Sequence, residues 1–417
     1  MSQASGPRSG REPVVITGLG AVSPLGTNFD EIASGLLAGR SGIREIETVG
    51  PHGARQFAAP VAAIPYPGAG CGLAAEGFAA LDRLERIQLG PLAAALADSG
   101  LRGATAPRDR VPRIGLVLGL GAEHLKRWED DFLSGGTSVF EPRRDRTIVH
   151  ALARLLRLDG PVVTVAAACA SSGYALAMAR TWLDAGWVDA CLAGGCDILS
   201  PTSIAAFYNL RALSRRSDDP ARASRPFDRG RDGFVMGEGG AFFVLERRSA
   251  ALARGARLRC ELAGVGMSSD GAHMVIPSSD PTNAARALAK SLEDAGVAPE
   301  EVDYVNAHAA GTPVGDVAEA AAIRLALGAA TDSVPVSSTK SMSGHLVSGA
   351  AAFELLACLA AVERQAVPPT VNLDEPDERC RLDHVPHVHR PRRVRVAASN
   401  SFGFGGSNLC LVIRGAA

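Results

Sequence analysis

Residues 161–186, PVVTVAAACASSGYALAMARTWLDAG, constrain the fold more than any other stretch of the chain. The β-branched run Val162, Val163, Thr164, Val165 reads as a buried strand. Past Cys169, the residues Tyr174, Leu176, Met178, Trp182 and Leu183 recur among alanines as far as Gly186, which reads as a helix and its stop. Cys169 therefore falls at a strand-to-helix turn, at or beside the helix N-terminus. Unpaired N–H groups and the helix dipole favour negative charge there, so its thiol is expected to lean toward thiolate, the nucleophilic form. The flanking alanines and serines are small enough to let an acyl group approach the sulfur.

The same alternation continues on both sides. Residues 14–26 read as a strand entering a Gly-rich turn, with a helix from about Asn28 to Gly39 behind it. Segment 45–70 reads as loop, 82–99 as helix, 114–120 as strand, 143–156 as helix and 190–195 as a buried strand. Residues 201–226 read as loop with short helices, and GEGGAFFVLE as a strand ending at Glu246. From near Arg257 come a strand, a helix at 282–295, a strand at 302–308 and a helix at 316–327. A strand at 334–338, an apolar helix at about 346–362, a Pro-rich loop at 367–391 and one final strand complete the chain. Strands alternating with helices predict parallel sheets buried between helix layers. Both parts close on a Gly-rich turn and an apolar strand, GEGGAFFVLE and FGFGGSNLCLVI, which suggests an internal duplication.

Net charge of -1 gives no global electrostatic case for nucleic acid or an anionic membrane. No apolar run reaches the length of a membrane span, and MSQASGPRSGRE reads as a loose polar tail. The eight cysteines form no CxxC pair, which points to a reducing cytosol. Cys191 and Cys196 read as small core residues. The early GLG turn does not meet the GxGxxG pattern of a dinucleotide site. His384, His387 and His389 have spacing that permits a metal, but their Pro- and Arg-rich loop favours solvated histidines.

A thiolate nucleophile needs an acid/base group and an anion-stabilising pocket. Two histidines qualify, His308 in VNAHAAGTPVGD and His345 in SSTKSMSGHLVSGAA, each near a strand end and flanked by small residues. Carboxyl ends of parallel strands are where such groups gather. Lys340, with no other charge beside it, reads as one member of a buried ion pair, with Asp316 and Glu319 as candidate partners.

In order along the chain, VVITGLGAVSPLG, GRSGI, ACASS, RPFDRGRDGFVMGEG, VNAH…GTPVGD, STKSMSGH, NLDEPD and SNSFGFGGSN resemble the β-ketoacyl-acyl carrier protein synthases, in the elongating synthase II-like branch. The resemblance covers about Val14 to Ile413. It implies an α/β thiolase-like fold, two similar βαβαβαββ-type halves in a five-layered α-β-α-β-α core. The halves would be 13–256 and 257–415 after a flexible tail at 1–12, together one ketosynthase domain.

The implied activity is decarboxylative Claisen condensation of an acyl-enzyme with malonyl-carrier protein. By the resemblance, Cys169 accepts the acyl chain, and His308 and His345 assist decarboxylation and stabilise the enolate. Lys340 pairs with Glu319 and holds the surroundings of His345, and Asp316 belongs to the same network. The N–H groups of Cys169 and Phe404 form an oxyanion hole, with Phe404 gating access. Thr312 lines the tunnel of the phosphopantetheine arm, which the carrier protein supplies, so no metal or organic cofactor is implied. Partners are the acyl carrier protein and a second subunit, either another copy or a Cys-less chain-length partner.

Three departures bear on substrate preference. The turn after His308 reads Ala309-Ala310-Gly311-Thr312, with one tunnel hydroxyl fewer than the usual pattern. The turn after His345 reads Leu-Val-Ser-Gly, and the first helix lacks a common tryptophan. Ala122 stands where a bulkier residue often limits acyl depth, which implies a longer or bulkier chain. Arg216 corresponds to a carrier-docking arginine of the family, with Arg83, Arg86, Lys126 and Arg127 as weaker candidates. Two other readings are a non-condensing chain-length subunit, which would lack Cys169, and a biosynthetic thiolase. The second would need another catalytic cysteine, and Cys410 lies within the last strand as a core residue.

Overall fold

The computed structural model describes residues 11–47, 56–102, 112–121, 125–136 and 147–416. Most of the expected tail and Ala122 lie outside the described residues.

Five strands come first: β1 (Val14–Val22), β2 (Ile114–Gly119), β3 (Val162–Val165), β4 (Ala190–Asp197) and β5 (Gly239–Arg247). Five more follow: β6 (Cys260–Ser269), β7 (Tyr304–Asn306), β8 (Pro335–Ser337), β9 (Val396–Gly403) and β10 (Ser407–Gly415). In space the first set runs β3-β2-β4-β5-β1 and the second β8-β7-β9-β10-β6, so each set, counted from its own first strand, has the order 3-2-4-5-1. Directions repeat too. The fifth strand of each set, β5 or β10, is antiparallel to both neighbours, and the remaining pairs are parallel. The duplication suggested by the two Gly-rich closing turns is therefore carried by the whole topology.

The sets join where β1 meets β6, through the pairs Val15↔Glu261 and Ile16↔Cys260. With Asp383–His384 added beyond β8, this makes one sheet of eleven strands among the described residues.

The sheet is mixed, not parallel, and what the sequence presents as one final strand over 395–413 is two. Gly405 (φ +86) and Gly406 (φ +78) supply the left-handed backbone of a tight turn after Gly403, and so short a connection can only return the chain antiparallel. Segment 45–70, expected as loop, contributes Gln56–Ala59 to a three-stranded ribbon with Arg44–Ile46 and Met236–Gly237.

Helices divide among three layers. Helix α1 (Arg83–Ser99), started by a reciprocal cap between Asp82 and Glu85, covers the outer face of the first set. Helices α2 (Ser171–Asp184) and α5 (Ala350–Arg364) lie between the two sets, and every residue of α5 from Ala350 to Val362 is buried. Helices α3 (Thr282–Ala295) and α4 (Gly315–Leu327) cover the outer face of the second set. The five layers α-β-α-β-α follow. An amphipathic stripe would not suit α5, which packs on both sides and reads as apolar all round. Close approach is built in by small residues: a Cβ on Gly119 would stand 2.4 Å from Ser172 Cα, and the Ser172 hydroxyl takes the Ala352 N–H at 3.0 Å. Among the described residues, no helix is long and apolar enough to cross a membrane.

Candidate active site

The duplicated topology sets the site, because equivalent strand ends of the two sets face the same interior. The chain leaves β3 through Ala167 and enters α2 by a short turn at Ala168–Ala170. Ala168 lies in the left-handed region (φ +49), a backbone that costs a non-glycine residue about 1–2 kcal/mol. Ser171 holds it there: its Oγ accepts the Ala167 N–H at 2.9 Å and donates to the Ala168 carbonyl at 2.6 Å. This aims Cys169 into the molecule, 5% exposed.

The thiol is not a resting thiolate. Burial pushes it up to about 11, against the pull of Lys340 and of the Phe404 N–H directed at its sulfur, while Glu354 and Asp197 add to the rise. Loss of water around a thiolate outweighs the helix N-terminus that the sequence brings to mind.

His308 follows β7 and is fixed from behind. Its N–H and that of Ala309 donate to the two oxygens of Glu319 at 2.8 and 2.6 Å, and the Asn400 amide donates to the same carboxylate at 3.1 Å. Lys340 does not pair with Glu319, as the resemblance implied. It is ion-paired with Glu354 of α5, donates to the His308 carbonyl at 2.5 Å and stands 3.4 Å from His308 Nδ1. The reason is occupancy, since the Glu319 oxygens are already taken by backbone N–H groups, whereas Glu354 arrives from the central layer. Glu354 is the residue sequence reasoning missed. Its signal was a lone carboxylate in the otherwise apolar AAAFELLACLAAV, which has to find a buried cation. Burial pushes both Glu319 and Glu354 up to about 7.

An ammonium has only donors, so His308 Nδ1 accepts and Nε2 carries the ring proton. His345 reaches the same state by another route, because its Nδ1 accepts the Val347 N–H at 3.2 Å. The two rings meet edge to face with centroids 5.3 Å apart. Burial first, then Lys340, holds both imidazoles well below the usual histidine range, with His345 contributing to the shift of His308. Two neutral Nε2–H donors thus stand together.

Asp316 belongs to a different cluster from the Lys340 pair. It accepts the N–H groups of Phe227, Gly311 and Thr312 at 2.8, 3.0 and 3.1 Å, with Arg231 at 3.7 Å, and ties the 227–231 loop to the turn after His308. Burial pushes it up to about 6.

Cys169, His308 and His345 line one cavity of about 360 Å3, together with Phe234, Thr312, Phe402 and Phe404. Its mouth is apolar, carrying the exposed side chains of Leu210, Ile276 and Val314, with Arg211 beside them. Phe404, on the β9–β10 turn, rests against Phe207 with ring centroids 6.0 Å apart. A Cβ on Gly403 would stand 2.7 Å from the Ala167 carbonyl oxygen, so this turn can press on the Cys169 turn only with glycine there. The Thr312 hydroxyl accepts the Gly315 N–H at 3.1 Å at the start of α4.

Arg216 lies elsewhere, donating to the Gly230 carbonyl at 2.8 Å beside a small crevice near Phe57 and Met236. Arg83 is an ion-pair partner of the buried Glu238, not a free surface charge. The three loop histidines separate: His384 is largely buried against Phe227, His387 approaches Asp374, and His389 faces the Leu37 carbonyl. Among the described residues no group of three metal-ligating side chains occurs.

Comparison with known proteins gives the family. Residues 11–251 match the family described as Beta-ketoacyl synthase, N-terminal domain, and 259–374 match Beta-ketoacyl synthase, C-terminal domain. The chain is 38% identical to 3-oxoacyl-[acyl-carrier-protein] synthase 2 of Synechocystis, covering 97% of this chain and 98% of that protein. It is 35% identical to the tetracenomycin polyketide synthase ketoacyl synthase alpha subunit of Streptomyces glaucescens, over 97% and 98% of the two chains. Among solved structures it resembles the ishigamide ketosynthase/chain length factor, at 31% identity and TM-score 0.84 over 98% of this chain and 100% of that one. It also resembles a type II polyketide synthase complex of an acyl-carrier protein with its hexaketide-bound ketosynthase, at 28% identity and TM-score 0.85 over 97% and 100%. With a thiolase-like fold, matched family domains and full-length relatives in hand, the chain belongs to the beta-ketoacyl synthase family.

Proposed function

We propose that the chain extends an acyl group on a carrier protein by decarboxylative Claisen condensation, giving a 3-oxoacyl-carrier protein. The observation that carries this reading is the single cavity in which Cys169 meets two neutral imidazoles fixed as Nε2–H donors. In the first half-reaction Cys169 takes the acyl group from a carrier-protein thioester, and its thiol proton leaves with the released carrier thiol. In the second, malonyl-carrier protein loses CO2 and the enolate oxygen receives hydrogen bonds from His308 and His345. The enolate carbon attacks the acyl-Cys169 carbonyl, the C–S bond breaks, and the departing thiolate takes a proton from solvent to restore the thiol. Negative charge developing on the acyl carbonyl falls beside the Phe404 N–H, where a preorganised donor is worth about 2.7–4 kcal/mol.

Lys340 and Glu354 act through His308, Glu319 holds the backbone that carries it, and Asp316 sets the turn that places Thr312 beside the pantetheine arm. The carrier protein brings that arm, and the scheme needs no metal or organic cofactor. Carrier proteins are acidic, so Arg211 at the mouth and Arg216 farther out are the docking cations of this reading. Ala122 sets acyl depth in it, and Ala122→Phe shortens the products. We read 13–256 and 257–415 as the two halves of one enzyme domain working in the cytoplasm. The likeness to an alpha subunit and to a ketosynthase/chain length factor favours a second version, in which a Cys-less partner replaces the second copy.

Incubating the protein with acyl-carrier proteins of graded length and weighing it intact tests the reading. Cys169 should gain the acyl mass and Cys169→Ala should not; acylation surviving in that variant would refute the assignment.

A further inference from the structure

The turn between His345 and α5 repeats the nucleophile turn. Ala168 (φ +49) and Val347 (φ +46) are each left-handed, each opens a three-residue 3-10 turn, and each turn leads straight into a central helix. In the duplicated topology Ser348 is thus the counterpart of Cys169. A β-branched residue in this backbone is a rare outlier that the surroundings must hold in place.

What holds Val347 is found at the end of β4. Asp197, the last residue of that strand, accepts both the N–H and the hydroxyl of Ser348 on Oδ2, at 3.2 and 2.7 Å, and the Ile198 N–H on Oδ1 at 2.9 Å. The neighbouring charge is another carboxylate, Glu238, already paired with Arg83. Burial pushes Asp197 up, so its place is held by hydrogen bonds and not by attraction to a cation. The clamped turn in its turn presents the Val347 N–H to His345 Nδ1.

We propose that Asp197 and Ser348 are positioning residues for the decarboxylation step: the carboxylate clamps Ser348, the clamp keeps Val347 left-handed, and the Val347 N–H fixes His345 as an Nε2–H donor. Without the clamp Val347 relaxes, Nδ1 loses its donor, and the imidazole can take the other tautomer. An unprotonated Nε2 would then face the enolate oxygen and repel it. The inference rests on the role given to His345 above.

The experiment separates the two half-reactions in the full-length protein, for Asp197→Ala, Ser348→Ala and a His345→Ala reference. Acylation of Cys169 is followed by intact mass, CO2 release from malonyl-carrier protein directly, and the His345 tautomer by ring 15N resonances, assigned by their loss in His345→Ala. Asp197→Ala should slow CO2 release about tenfold or more and Ser348→Ala about threefold, with Cys169 acylation slowed no more than about twofold in either, since losing the Asp197 carboxylate relieves the thiol. The His345 signal should shift from pure Nε2–H toward a mixture. Wild-type CO2 release, equal loss of both half-reactions, or an unchanged ring signal would overturn the inference. Should Asp197→Ala not fold, Ser348→Ala decides by the same criteria. If His345→Ala itself keeps full CO2 release, the role of His345 fails instead, and the ring signal still judges the clamp.

Discussion

A thiol held at about 11 is almost wholly protonated at neutral pH, so the proposed reaction requires Cys169 to be activated within the carrier complex and not at rest. Its alkylation by iodoacetamide should rise about tenfold per pH unit past about pH 9, where an ordinary thiol levels off. A plateau near the ordinary value would show that burial does not control the sulfur. The imidazoles shift the opposite way. Their folded values are depressed, so protonation begins only below the ordinary histidine range. Ring resonances of His308 and His345 should therefore stay constant from about pH 8 to about pH 6, where a free imidazole would be roughly three-quarters protonated. The types and positions of these three side chains were legible in the sequence, because each sits in a short motif of small residues. Their protonation states were not, since burial belongs to the assembled layers and not to the motif.

Helix α5 brings Glu354 across from the central layer, and Glu354→Ala leaves Lys340 buried without its partner. That should cost about 3–5 kcal/mol of stability, read as a lowered unfolding midpoint in urea; a midpoint unchanged within error would contradict the buried pair. The β9–β10 turn offers a gentler probe. Gly403→Ala must push the Phe404 turn off Ala167, so we expect a folded protein, less stable by about 1–3 kcal/mol, that acylates poorly. Acylation at the wild-type rate would mean the Phe404 N–H is not needed at the sulfur.

Strand and helix positions were readable from local periodicity, and most boundaries fall within a few residues. The Lys340 partner was not readable, because Asp316 and Glu319 on α4 could serve as well as Glu354 on α5, and only packing decides among the three. The hairpin at Phe404 was missed for a related reason. Apolar residues run through both of its strands, and only the two left-handed glycines mark the reversal.

At the scale of the whole molecule, the two sheet margins differ. Asp383–His384 extends one, whereas among the described residues the other ends at β3, where Val162 to Val165 are only half-buried and the Thr164 hydroxyl has no partner. An open edge of β-branched residues is a place for another chain to add on. On the proposed pairing with a second subunit, Thr164→Arg should reduce the particle mass in light scattering to that of one chain; an unchanged two-chain mass would place the contact elsewhere. That the chain doubles one topology was only faintly visible in its sequence, since 3-2-4-5-1 is a relation between strands far apart along the backbone.

The seam between β1 and β6 is just two residue pairs long, while α2 and α5 are buried against both sets. If the polypeptide were severed near Gly255 and the fragments expressed separately, each would carry a greasy helix with nothing to cover it, and each should aggregate. Expressed side by side, they should reassemble into a working enzyme, with the sulfur supplied by one fragment and both imidazoles by the other.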